Sequence, residues 1–256
     1  MNILDIDLDF FLQERAIEYD VAEMGERLDD SSYPVWGESD VKWFLEEQCC
    51  LSVENRIPMT IVSRHDKVFA HVLRKAFSEI NLYHVDAHHD LYPIESPWFY
   101  NDYSNKSISE RETLPFSICP RTRAPYLTEG NYIGFLLACE KLTSVSYITS
   151  LDKRWGDRPS WMFCRNFDDT SGILQVPRIN DLTFRYDGMD LPWLPRISSK
   201  FEFYGTEVPF HIVDFHVFSA REIQFDHAFL SLSPEYTPKS ADRLVPTILH
   251  FFELVD

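Results

Sequence analysis

Apolar and polar residues alternate with period two at the start of the chain. Leu4, Ile6, Leu8 and Phe10 fall on one side and Asp5, Asp7 and Asp9 on the other, so Asn2 to Phe11 reads as a strand. Ser39 to Leu51 follows helical spacing, with Ser39 or Asp40 as its cap. The run IPMTIVSRH is β-type and ends at His65. Lys67 to Ile80 then reads as an amphipathic helix with Val68, Val72, Leu73, Ala76, Phe77 and Ile80 on one face. The segment NLYHVDAHHD is a further strand, whose end carries Asp86, His88 and Asp90. Strands and helices taking turns in this way predict a parallel sheet with crossover helices.

The pattern breaks from Pro93 to Gly130, which is rich in Pro, Ser, Asn, Tyr and Arg and has no clean period. A loop of that length, placed directly after the histidine–aspartate cluster, is expected to be a lid or a substrate-binding loop. Beyond it, Asn131 to Leu142 reads as a helix and Val145 to Thr149 as a strand. Asp152 to Lys200 is irregular, with strand-like pieces at Ile173–Val176 and Leu182–Tyr186. Val208 to Phe218 is a strand, and after the turn-rich SPEYTPKS the chain closes with a predicted helix, Ala241 to Leu254. No internal repeat, low-complexity tract or linker divides residues 1–256, so one α/β domain is expected.

Composition narrows the chemistry. Hydrophobic residues make up 45 % of the 256, enough for a substantial core. The formal net charge of −17 repels phosphate backbones, so a nucleic-acid partner is not expected; cationic partners such as metal ions or guanidinium and ammonium groups are. With eight glycines in the chain, neither G-x-G-x-x-G nor a Walker loop can be written. The five cysteines form no C-x-x-C, which argues against structural zinc and against a disulfide framework. The first residues lack a basic stretch, and no apolar run reaches spanning length. A cytoplasmic protein with no membrane partner is the expectation.

Three places carry chemistry: Asp5–Asp9, His65, and Asp86–Ala87–His88–His89–Asp90. In a parallel sheet, ligands gather outside the carboxyl ends of the strands, so neighbouring strands would bring all three together. Two carboxylates about 4 Å apart repel by roughly 4 kcal/mol at an effective dielectric near 20. Four or five of them require protons or cations, and a pair of divalent ions bridged by carboxylates meets that need. Oxygen and imidazole donors without thiolate suit Mn²⁺. An EF-hand fragment is a poor alternative for the opening segment, because Phe10 stands where that loop needs glycine. Alone, His65 could be a core histidine, and Asp86-x-His88-x-Asp90 a surface strand end; jointly the three places read as a metal site. His89 falls on the opposite face and is expected to pack.

The strand ending D-A-H-x-D resembles the signature of the arginase, agmatinase and histone-deacetylase superfamily. His65 stands where arginases have a histidine at the end of the preceding strand, and Asp5–Asp9 is similar to their S-x-D-x-D segment, with Asp5 in the serine position. That segment follows D-A-H-x-D in arginases but opens this chain, so the order looks circularly permuted. DIDLDFF together with HVDAHHD is most similar to the arginase-like peptide arginases, which turn arginine side chains of ribosomally made precursor peptides into ornithine. The firm resemblance covers residues 1–12 and 59–92, with weaker similarity at Glu129–Asn131 and SPEYTP.

The resemblance implies a three-layer fold with a central, mainly parallel sheet, and two manganese ions per chain. One ion would be held by His65, Asp86, Asp90 and Asp7, and the other by His88, Asp86, Asp7 and Asp9, with Asp86 and Asp7 bridging. It also implies attack of a metal-bridging hydroxide on the guanidinium carbon of an arginine in a precursor peptide, with release of urea. The usual G-G-D-H is Ser63–Arg64–His65–Asp66 here, and the glycine-rich loop after S-x-D-x-D is missing, which fits an entrance shaped for a peptide.

A guanidinium also needs a carboxylate beyond the metals, because its planar fork pairs with one. Asp214 is the first candidate, and Glu207, Asp168 and Asp169 are others. Asp90, Asp214 and His216 are the expected catalytic residues, His216 as a proton shuttle or further ligand. Asn131 caps a helix or contacts substrate, and Trp98, Tyr100, Tyr103 and Tyr126 either line a peptide groove or anchor the loop. Two other classes stay open: a single-zinc deacetylase-type amidohydrolase, and a non-catalytic module binding cationic peptides.

Overall fold

The opening alternation is realised as β1 (Asn2–Asp7), which lies in the middle of an eight-stranded sheet. A computed structural model describes residues 1–16, 26–94, 97–120, 123–151, 161–179 and 201–255. The other strands are β2 (Ile57–Val62), β3 (Ile80–Val85), β4 (Leu142–Thr149), β5 (Ile173–Ile179), β6 (Phe201–Asp214), β7 (His227–Ser231) and β8 (Phe252–Leu254). Their spatial order is β5-β6-β4-β3-β1-β7-β2-β8. Neighbours run parallel except β5, which is antiparallel to β6. The expected α/β architecture, a mostly parallel sheet flanked by helices, is therefore present.

Helices cover both faces, as an all-parallel centre requires. Ile3 of β1 faces a core built with α2 (Asp66–Arg74) and α5 (Tyr132–Ala138), including Val68, Phe69, Val72 and Phe135. Leu4, Ile6, Leu8 and Phe10 face the opposite core, against α1 (Glu38–Trp43) and α6 (Leu244–Leu249). Within β1 the period-two pattern sends Leu4 and Ile6 to one layer and turns Asp5 and Asp7 toward the other, whereas Leu8–Phe11, expected to continue the strand, forms a 3-10 turn capped by Asp7.

Several elements differ from the sequence-based expectation. The helix expected over Ser39–Leu51 is α1 followed by a wider π-type turn, Phe44–Gln48, closed by Cys50 in the left-handed region (φ 53°). The strand before His65 stops at Val62, and His65 takes the N-cap position of α2 without a side-chain capping bond. Helix α2 ends at Arg74, and Ala76 (φ 53°) reverses the chain. The stretch after Pro93 is not uniformly irregular. It contains α3 (Pro97–Asn101) and α4 (Ile108–Thr113), the latter opened by a Ser107/Glu110 capping box; helices of five and six residues are too short to show a period. The predicted closing helix is cut to α6, and Phe252–Leu254 pairs with β2 as an edge strand. Strand β7 carried no signal, being a short run buried on both faces. The strand-like piece Leu182–Tyr186 lies outside the described residues. Among the described residues no helix is long and apolar enough to cross a membrane.

Candidate metal centre

Four adjacent parallel strands, β3, β1, β7 and β2, end at the same edge. Asp7 and Asp9 follow from β1, His65 from β2, Asp86–Asp90 from β3 and Ser233 from β7, all at one cavity of about 590 Å³. The expected convergence of the three places is observed. Asp86, His88 and Asp90 do not meet by strand alternation, however. Strand β3 stops at Val85, and the loop bends so that His88 N–H donates to Asp86 Oδ1 (2.6 Å) and Asp90 takes a left-handed backbone (φ 48°). Asp is among the residues that tolerate that conformation.

The donors interlock. His65 Nδ1 lies 2.9 Å from Asp90 Oδ2, 3.1 Å from Asp86 Oδ2 and 3.2 Å from Asp7 Oδ2. His88 Nδ1 lies 2.9 Å from Asp9 Oδ2 and 3.6 Å from Asp86 Oδ1. Asp7 accepts from Asp9 N–H (2.9 Å) and from the Ser233 hydroxyl. Both histidines turn Nδ1 to the carboxylates and leave Nε2 for an outer partner: Ala16 carbonyl oxygen for His88 at 2.8 Å, and Asp5 Oδ1 for His65 at 3.4 Å.

Behind this layer lies a set that the sequence reading missed. His84, fully buried, has Nδ1 2.9 Å from Asp5 Oδ2 and Nε2 3.3 Å from Asp86 Oδ2. Tyr132, from α5, donates its hydroxyl to Asp5 Oδ2 and stacks on His65. His84 stands two residues before Asp86 on β3, so strand parity could have flagged it; its pairing with Asp5 depends on the β1–β3 register. Nothing local marks Tyr132 or Ser233. His89 packs, as expected: it is buried against Tyr92 and accepts from Leu91 N–H.

Five carboxylates and three imidazoles at such separations unsettle one another's charge. Burial, then the Asp9 and Asp86 charges, push Asp7 well above the ordinary carboxylate range. Burial and Asp86 raise Asp9, and push Asp90 up to about 6. Burial also opposes charge on Asp5 and Asp86, but the histidines beside them prevail and hold both low. Burial disfavours the imidazolium form, yet the carboxylates win and raise His65, His84 and His88. Three charged imidazoles cannot neutralise five carboxylates, so the cluster holds protons that a divalent cation can replace.

The residues fit metal ions. Asp7, His65 and Asp86 form one group with donor atoms within 4.8 Å of one another; Asp9, Asp86 and His88 form a second, and the two share Asp86. Groupings through His84, with Asp5 and His65 or with Asp86 and Asp90, overlap them. Among the described residues, Asp9 Oδ1 is buried without a hydrogen-bond partner, which is expensive unless a cation is its counterpart. The donors are oxygen and imidazole, and no thiolate joins them.

Of the other expected site residues, Asn131 lines the cavity, but its side chain ties the loop together, accepting from Thr128 N–H (2.9 Å) and donating to Tyr126 O (3.0 Å). Asp214, Glu207 and His216 are not brought to this cavity. Asp214 caps its own strand end, accepting from Leu151 N–H and His216 N–H. Glu207 pairs with Arg165 on the surface, and exposed His216 lies against Phe215. Asp168 holds Thr170 in a turn, and Asp169 is likewise outside the lining. Strand β6 is separated from β3 by β4, which explains the offset. The loop expected to act as a lid does supply wall, through Tyr126, Glu129 and Gly130, while Tyr100 and Tyr103 are fully buried in the core.

Comparison of the chain with family models, curated proteins and solved structures returns no match.

Proposed function

We propose that this chain is a binuclear manganese hydrolase that converts arginine side chains of a precursor peptide to ornithine and releases urea. One observation carries the reading: two donor groups, Asp7–His65–Asp86 and Asp9–Asp86–His88, share a carboxylate at the floor of one cavity. His65, Asp86, Asp90 and Asp7 would hold one ion, and His88, Asp86, Asp7 and Asp9 the other. Bound there, the ions would supply a water made acidic enough to attack at neutral pH. The resemblance of DIDLDFF and HVDAHHD to arginases supports the same reading, with an arginase-like fold entered at a different point in the chain.

The chain's own residues would do the rest. Tyr92, Tyr126 and Tyr236 in the walls offer aromatic faces on which a planar cation stacks. A volume of about 590 Å³ exceeds what one arginine side chain fills, leaving room for flanking peptide. In the reaction water adds to the guanidinium carbon, the bond from that carbon to the side-chain nitrogen breaks, and the nitrogen leaves as an amine that takes a proton. Asp90, expected among the catalytic residues, lies at the cavity wall, where as an ion ligand it would be ionised.

The direct test supplies manganese and an arginine-containing peptide. The expected result is loss of a CH₂N₂ unit by mass spectrometry together with urea. Binding of an unchanged peptide would favour a non-catalytic module, and deacylation of acyl-lysine with zinc would favour the deacetylase class. Asp86→Asn removes the shared charge and should abolish metal loading and turnover together; normal turnover by that variant would overturn the site.

A further inference from the structure

Asp214, Glu207, Asp168 and Asp169 all lie off the cavity, so the carboxylate that reads the substrate's charge must be sought in its wall. Among the described residues, the acidic side chains lining the cavity are Asp7, Asp9, Asp86, Asp90 and Glu129. The first four belong to the histidine–carboxylate cluster. Glu129 does not.

Glu129 is firmly placed. Asn131, two residues on, clamps Thr128 and Tyr126 through its side-chain amide. Gly130 lies beneath the Tyr92 ring, where a Cβ would come within 2.9 Å of it, and Gly130 O accepts from Tyr92 N–H (2.8 Å). Glu129 already performs the relevant recognition once: its Oε2 accepts from the Arg64 guanidinium at 3.0 Å. That guanidinium also faces Glu235 (3.6 Å) and Asp66 (3.7 Å), and Lys67 pairs with Asp66 at 2.6 Å, so two cations serve three carboxylates. The rim therefore keeps a surplus of negative charge.

We propose that Glu129 is the specificity residue of the cavity, accepting an N–H from the cationic side chain of the bound peptide through Oε1, while Arg64 holds Oε2. This rests on the reading of the cavity as a site for cationic peptides. Glu129 selects positive charge, and the metal cluster acts on the group so held. Arg64 is an internal counter-charge that fixes the carboxylate and moderates its pull.

The experiment separates charge reading from turnover. Manganese-loaded protein is titrated calorimetrically with a peptide carrying lysine, a cation that yields no urea, and with the same peptide carrying norleucine. Wild type should prefer lysine by about tenfold. Glu129→Gln should reduce the preference to about twofold with manganese content unchanged, Glu129→Asp should keep part of it, and Arg64→Gln should tighten lysine-peptide binding. A Glu129→Gln variant with the wild-type preference, a wild type with no preference, or an Arg64→Gln variant that binds the lysine peptide no tighter would overturn the proposal. Turnover of the arginine peptide is scored separately. If no urea forms while the lysine preference is present and depends on Glu129, the hydrolase reading fails and the role of Glu129 stands. If urea forms, Glu129→Gln should raise KM about tenfold and leave kcat within about twofold.

Discussion

Asp5 shows how one buried side chain can position a candidate metal ligand, His65, with which it also groups through His84. It is fully buried in the central strand, takes the Tyr132 hydroxyl and His84 Nδ1 on Oδ2, and turns Oδ1 to His65 Nε2. His65 Nε2 and Asp5 Oδ1 are each without a good hydrogen bond, at 3.4 Å from one another. The arrangement matches the carboxylate–histidine–metal pattern, in which the outer carboxylate fixes the ring's tautomer and raises its basicity. Asp5→Asn should lower manganese affinity by about 10–100-fold while leaving the chain folded, read by metal titration with circular dichroism as the control. Unchanged affinity would show that Asp5 only balances charge.

At the scale of elements, the wall depends on how α5 sits against the segment around Phe163. Gly134 permits that approach: a Cβ there would lie 2.7 Å from Phe163 Cζ, and Phe163 is fully buried and cannot swing away. Gly134→Ala gains helix propensity of about 1 kcal/mol, but the clash costs about 1–3 kcal/mol. The expected outcome is net destabilisation, seen as a lower denaturant midpoint with an unchanged slope; a more stable variant would mean that the helix shifts freely. Because α5 also carries Tyr132 onto Asp5, the packing and the chemistry share this helix. The short elements were the hardest to read in advance. Helices α3 and α4, and strand β7, are each at most six residues long, and so span too few repeats for a period to emerge.

At the scale of the molecule, the sheet has a chemical edge and a plain one. His227 stands at the start of β7, at the end away from the cluster, near the Thr60 hydroxyl (3.2 Å). Burial, with help from Lys75 and His71, depresses its imidazole to about 4. An unfolded histidine titrates near 6.5. Between those values the unfolded chain binds a proton that the folded chain declines, so this group's stabilisation is complete above about pH 6.5 and is lost as the pH falls toward 4. The loss is on the order of 2 kcal/mol once partial screening is allowed for. His227→Gln should flatten that part of the stability–pH curve relative to wild type in urea unfolding at pH 7.5 and 5; parallel curves would assign the acid sensitivity elsewhere.

What could be read from residue order was what is encoded locally. The alternation of Asn2–Asp7 and the helix after His65 each lie within one element, and side-chain type limits what a buried cluster of aspartates and histidines can hold. Asp7, Asp9, His65, Asp86, His88 and Asp90 were legible for that reason, and all six line the cavity. The partners hidden from the sequence are those set by register and packing. Asp5 meets His84 because β1 pairs with β3 residue for residue, and Tyr132 reaches Asp5 because α5 packs over that face. Glu129 rather than Asp214 reaches the cavity because β4 separates β6 from β3, while the segment before α5 folds back over the strand ends. A chain's local period fixes which way a side chain points within its element, but only the stacking of whole elements fixes what it meets there.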